Sequence, residues 1–79
     1  MYVVYVLRDN KGKLYKGLTN NLARRLNEHG GGKTLTTSKM SGIRLVYTEK
    51  HDTFEVARKR ELYLKSAAGR RYLKLKLRS

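Results

Sequence analysis

Six consecutive apolar or aromatic residues, Tyr2–Leu7, are followed within one turn by a second strand-like run, Lys13–Leu18. The first run is rich in valine and has no polar face. That pattern marks a strand buried on both sides and central in its sheet. Between the runs stands Asp9-Asn10-Lys11-Gly12, turn chemistry with a glycine suited to a left-handed backbone. A chain of 79 residues has room for one domain, 1–79, so this hairpin must organise it. The simplest register pairs Arg8 with Gly12. It sets Tyr5 opposite Tyr15 on one face of the hairpin.

The second strand feeds directly into LYKGLTNNLARRLNEH, Leu14–His29. This stretch reads as strand, a tight exit at Gly17, and a helix from about Asn20 to Glu28, capped by Thr19 or Asn20. Leu22, Ala23 and Leu26 form its apolar stripe. At 100° per residue Arg25 and His29 fall together at the edge of that stripe, whereas Arg24 lies outward in solvent. Tyr15, Arg25 and His29 are thus a phenol, a guanidinium and an imidazole delivered by one compact unit. Taken alone, His29 reads better as a helix C-cap group favoured by the macrodipole.

Gly30-Gly31-Gly32 ends the helix, and the polar stretch to Ser41 reads as a mobile basic loop carrying Lys33 and Lys39. The string Gly32-Lys33-Thr34 is not a phosphate loop. Asn27 stands where that motif needs its first glycine, and a helix rather than a strand precedes it. Ile43–Thr48 alternates as a strand with Ile43, Leu45 and Tyr47 inward. A second helix follows over Phe54–Lys65, capped by Asp52 or Thr53, with Phe54, Ala57 and Leu64 as its core stripe. After a break at Ser66–Gly69, the segment to Leu77 suits a third, basic helix.

Glu61 is the anomaly of the second helix. It lands inside the core stripe, and it is the sole acid from Val56 onward among nine basic residues. An inward carboxylate is costly unless it is paired or holds a cation. Two solutions are open: a salt bridge to Arg25, or a hard divalent ion content with one protein oxygen and several waters.

Nineteen Lys and Arg against six Asp and Glu leave a net charge of +13, which selects polyanions as partners and nucleic acid first. No cysteine is present, so disulfides and thiolate metal sites are excluded. No apolar run approaches the ~18 residues of a membrane span. The apolar start lacks a basic leader and a cleavage site, so the cytoplasm is the expected compartment.

The ordered set Tyr5, Tyr15-Lys16-Gly17, Asn20 to His29, Arg44-Leu45-Val46-Tyr47, Arg60-Glu61 and Gly69-Arg70-Arg71-Tyr72-Leu73 resembles the GIY-YIG nuclease superfamily, in its small bacterial single-domain branch. The resemblance covers nearly the whole chain. It implies an α+β fold, a three-stranded antiparallel sheet flanked by helices in the order β-β-α-β-α-α. It also implies Mg²⁺- or Mn²⁺-dependent hydrolysis of DNA phosphodiester bonds, structure-specific in repair or recombination. Position by position, Tyr5 and Tyr15 match the two motif tyrosines, one of them a general base. Gly17 matches the glycine that brings the backbone close to the site. Arg25 matches the phosphate-contacting arginine, His29 the histidine that assists in proton handling, and Glu61 the single metal carboxylate. Lys16, Lys33, Lys39, Arg70 and Arg71 are the expected nucleic-acid-binding cations.

The chain departs from the pattern at Val3, where the first motif has glycine, and at Lys16, where the second has isoleucine. It also has no asparagine after Asn27. The rival expectation is a noncatalytic basic nucleic-acid-binding module that keeps the fold. DNA versus RNA and the oligomeric state stay open at this point.

Overall fold

The computed structural model describes residues 1–30 and 42–77, with backbone alone at 28–30. Three strands and three helices follow in the expected order: β1 (Tyr2–Arg8), β2 (Leu14–Thr19), α1 (Leu22–Gly30), β3 (Arg44–His51), α2 (Phe54–Lys65) and α3 (Ala67–Lys76). The sheet is antiparallel in the order β2-β1-β3. The valine-rich β1 is therefore central, and its Val4, Val6 and Leu7 are fully buried.

The hairpin register differs from the simplest one. Arg8 pairs with Leu14, Tyr5 with Gly17 and Leu7 with Tyr15. Gly12 explains the shift. It takes φ +83, a left-handed value no strand residue adopts, so pairing begins beyond it. The turn is fastened by Asp9. Its carboxylate accepts from the amides of Lys11 (3.0 Å) and Lys13 (2.8 Å), and its carbonyl accepts from Gly12 at 3.1 Å. Those bonds account for an otherwise costly buried acid. The pairing partner moves by two positions, and side chains alternate with period two, so Tyr5 and Tyr15 still share a face.

The third strand departs from simple alternation. Val6 faces Tyr47 but Leu7 faces Leu45, leaving Val46 as the extra residue of a β-bulge. Val46 and Tyr47 consequently both pack on the core, while Leu45 is exposed. Two other expected core residues lie outside as well. Ala23 is exposed, and Phe54 caps the rim of the sheet edge-on to Tyr2 at 5.7 Å between ring centres.

Helices α2 and α3 cover the Val4–Val6 face through Ala57, Leu64 and Leu73. Ser66 by itself makes the break between them. Its amide donates to the Tyr63 carbonyl as α2 ends, and its hydroxyl accepts from the Gly69 amide at 3.2 Å as α3 begins. At Gly69 the two helices approach so closely that a Cβ would overlap the Tyr63 carbonyl oxygen and the Leu64 Cα.

A hydrogen-bonded cluster pins β3 to these helices. Glu49 accepts from Arg60 Nε at 2.9 Å on both oxygens, from His51 Nε2 at 3.0 Å and from the Tyr47 hydroxyl. Because the Tyr47 hydroxyl donates to Glu49, Tyr72 is the donor to the Tyr47 oxygen at 3.1 Å. The Arg60 guanidinium lies between the rings of Tyr63 and Tyr72, 4.8 and 4.7 Å from their centres. Burial opposes the Glu49 charge, but its three donors more than offset this and hold its carboxyl below the ordinary value. Burial and the bond to Glu49 push the Tyr47 phenol well above its usual range.

Because the folded-state value of Glu49 is depressed, its stabilising contribution is present above the unfolded carboxyl pKa. It is lost as pH falls through the folded value. Glu49→Gln is expected to cost about 2 kcal/mol at neutral pH, the range for hydrogen bonds to a charged group. The difference between variant and wild type should narrow steadily below pH ~4. Urea unfolding of both proteins across pH checks this, and a pH-independent gap would remove Glu49 from the role.

Candidate active site

The two motif tyrosines meet on the face of β1 and β2 opposite Val4 and Val6. Their ring centres are 6.4 Å apart, tilted by 43°. They are diagonal rather than directly opposed, because Gly17 occupies the position facing Tyr5. Gly17 is a strand residue within β2, not the exit from it. It is glycine because the hydroxyl end of the Tyr5 ring lies across its Cα, where any Cβ would overlap Cζ and Oη. Tyr5 is only 1% exposed, so the ring has no free direction in which to yield.

Gly17→Ala is expected to cost about 1–3 kcal/mol by overpacking. Combined with Tyr5→Ala, which removes the obstructing ring, the two losses should fall well short of additive. Thermal unfolding of the four proteins in this double-mutant cycle measures the coupling. Strict additivity would dissociate the glycine from the ring.

Helix α1 runs from Leu22 to Gly30, two residues later at each end than expected. Asn21 is the cap, its side chain accepting from the Arg24 amide at 3.1 Å. Thr19 supports that cap from the end of β2, accepting from the Asn21 amide at 3.0 Å. The two arginines separate as the helical projection requires: Arg24 is exposed and Arg25 half-buried on the side of Leu22 and Leu26. His29 lies in the last turn of α1, one turn beyond Arg25. Its side chain, and all of Lys33 and Lys39, lie outside the described residues.

Glu61 is buried at 6% exposure, on the α2 face shared with Ala57 and Leu64. One oxygen accepts from Arg58 at 2.7 Å and the other from Lys65 at 3.3 Å. These ion pairs run along α2 itself, rather than through the Arg25 bridge left open by the sequence. Both cationic side chains are about half exposed. Lys65 and Arg70 each lie near Lys16. Burial, then the charges of Arg70 and Lys65, hold the Lys16 ammonium below its ordinary pKa. Lys16 is half-buried on the sheet face covered by α2, whereas Arg70 and Arg71 are exposed on α3.

The phenols and the carboxylate thus occupy the two sides of β2, an edge strand. Strand alternation places Tyr5 and Tyr15 on one face and Lys16 on the other, with Glu61 on the helix covering the latter. The structure therefore brings Tyr5 and Tyr15 together but sets Glu61 across the sheet from them, and α1, which carries Arg25, follows directly from β2.

Mg²⁺ suits the donor present. It takes hard oxygen ligands, keeps several waters and is commonly held by one or two carboxylates plus substrate phosphate. No group of three or more His, Cys, Asp or Glu gathers among the described residues, so Glu61 would be its protein ligand. The half-exposed Arg58 and Lys65 can turn into solvent as the ion enters.

Sequence reasoning placed Tyr47 on the core face of its strand and read His51 as structural, but missed Glu49 and the cluster the three form. Their signal was available: three hydrogen-bonding side chains at alternate positions of one strand, hence on one face.

Comparison with known proteins gives the same outline. The family model described as the GIY-YIG catalytic domain matches residues 1–74. A UPF0213 protein of Autographa californica nuclear polyhedrosis virus is 38% identical over 82 residues, covering 98% of this chain and 75% of the viral protein. One from Clostridium perfringens is 34% identical over 76 residues, covering 95% of this chain and 82% of its own. The solution NMR structure of a UPF0213 protein from Bacillus halodurans superposes with a TM-score of 0.59 at 31% identity. It covers 95% of this chain and 82% of that one. With its strand order, its paired tyrosines and a family match over nearly its whole length, the chain belongs to the GIY-YIG family, in company with the UPF0213 proteins.

Proposed function

We propose that this protein is a divalent-metal-dependent endonuclease that hydrolyses DNA phosphodiester bonds. The observation that carries the proposal is Glu61. Among the described residues, buried Asp9 closes the hairpin and half-buried Glu49 ties β3 to α2. Among the described residues, the partners of Glu61 are Arg58 and Lys65, each one turn away on its own helix and reaching in from solvent. A carboxylate kept at such a position in a chain of net charge +13 makes sense as a cation ligand.

Around it, Arg25 would contact the scissile phosphate, and Tyr15 would orient and deprotonate the attacking water. Tyr5, fixed against Gly17, would hold Tyr15 in position. His29 would handle the leaving-group proton. Lys16, Arg70 and Arg71 would track the flanking phosphates. When bound, the metal polarises the phosphate and stabilises the leaving oxygen. A lone carboxylate implies one ion rather than the carboxylate-bridged pair of two-metal nucleases.

Flapped, branched and plain duplex DNA, incubated with the protein and Mg²⁺ or Mn²⁺, test this reading. Cleavage should vanish with chelator, return on adding metal, and fall about 10²–10⁴-fold in Tyr15→Phe, the range for loss of a general base. Cleavage indifferent to chelator would overturn the proposal. The engagement of both Glu61 oxygens favours one second reading, a DNA-binding module without hydrolysis. It requires salt-dependent binding that neither chelator nor Glu61→Gln alters.

A further inference from the structure

A second concave site lies at the turn end of the hairpin, away from the tyrosines. It is an open cavity of about 740 Å³ between the β1–β2 connection and α3. That volume is in the range of small-molecule sites. The hairpin lends Arg8 and Leu14, and the α3 segment opposite lends Arg70, Leu73, Lys74 and Leu77, so three cations share the lining with a leucine wall. No acid lines it.

Arg8 is held there at a cost. Its Nε is buried without a hydrogen-bond partner. A buried donor left unsatisfied forfeits its hydration without return. Arg8 also stands directly across the ladder from Arg44, and like charges so placed destabilise a sheet. Arg70, on the opposite wall, lies close enough to Lys16 to depress it. These features oppose folding and share one remedy, an anion.

We infer that this cavity binds a nucleoside phosphate, with the phosphate between Arg8 and Arg70 and the base against the leucine wall. A phosphate alone leaves the leucines unused. An alkyl carboxylate needs a long apolar channel and has no use for three cations. A nucleotide supplies both halves, and Arg70 joins the cavity to the cationic edge of β2. The inference deepens the nuclease reading and rests on it for the choice of DNA. The occupant would be an unstacked or terminal nucleotide of the strand being cut, which selects substrates with unpaired ends.

The test is an amide NMR titration of the full chain without metal, so its outcome is independent of cleavage. Thymidine 5′-monophosphate should shift Gly12, Leu14, Leu73 and Leu77 saturably. Thymidine and inorganic phosphate should bind at least tenfold more weakly. A thymidine trinucleotide binding tighter than the monophosphate identifies the occupant as part of a strand; equal affinity identifies the free nucleotide. Arg8→Gln should weaken binding about tenfold. Lys74→Gln, at an exposed position, should weaken it severalfold and serves if the Arg8 variant fails to fold. Shifts confined to other residues, inorganic phosphate binding as tightly as the monophosphate, or tighter binding of decanoate would each overturn the inference.

Discussion

Glu61→Leu is expected to abolish cleavage while leaving the protein as stable as wild type or slightly more so. The two halves of this expectation come from different physics. Ala57, Glu61 and Leu64 share the buried face of α2, and leucine would complete that stripe. Replacing a buried charge and its pairs by a well-packed apolar side chain is commonly neutral or stabilising by about 1–4 kcal/mol. The usual penalty for stranding the partner charges is small here, because Arg58 and Lys65 are half exposed and can return to water.

Activity should move the other way. Removing the metal's protein ligand takes several kcal/mol from the transition state, a loss of about 10³-fold or more. Thermal unfolding and a cleavage assay on the same preparation decide the matter. A variant that unfolds makes Glu61 a structural residue. One that is stable and still cuts removes it from catalysis. The combination expected is the signature of a residue retained at the expense of packing.

Gly69→Ala should produce a large loss of stability from the addition of a single methyl group. Intrinsic propensity predicts the reverse, since alanine is favoured over glycine in a helix by about 1 kcal/mol. Packing overrules it. The added carbon would overlap the Tyr63 carbonyl oxygen and the Leu64 Cα. Both are backbone atoms of α2 and cannot rotate aside. Helix α3 must therefore retreat, drawing Leu73 from the fully buried cluster with Leu64, Val4 and Val6. A net loss of about 2–3 kcal/mol follows from overpacking of this kind. At roughly 4–8 °C per kcal/mol for a domain of this size, Tm should drop by about 10 °C or more. An unchanged or raised Tm would mean that α2 and α3 separate freely.

The order and type of every element were legible in local pattern. The unbroken Tyr2–Leu7 run marked the central strand. Helical spacing set α2 to within a residue and sent Arg24 and Arg25 to different surroundings. Glu61 was legible for the same reason: a charge inside an apolar stripe contradicts its own neighbours.

Tertiary structure decided what depends on two segments at once. The left-handed turn at Gly12 moved the hairpin pairing and brought Gly17, not Tyr15, beneath Tyr5. The bulge at Val46 broke the alternation on which the reading of β3 depended. The need for glycine at positions 17 and 69 comes from atoms twelve and five or six residues away, respectively. Strand alternation could place Glu49 on one face with Tyr47 and His51, but its pairing with Arg60, eleven residues on, required the fold. Hydrophobic period and turn propensity are properties of neighbours along the chain, so sequence alone determined the elements and the misplaced acid. Register, close backbone approach and the satisfaction of buried charge are properties of pairs distant in sequence, and only the assembled sheet and helices supplied them.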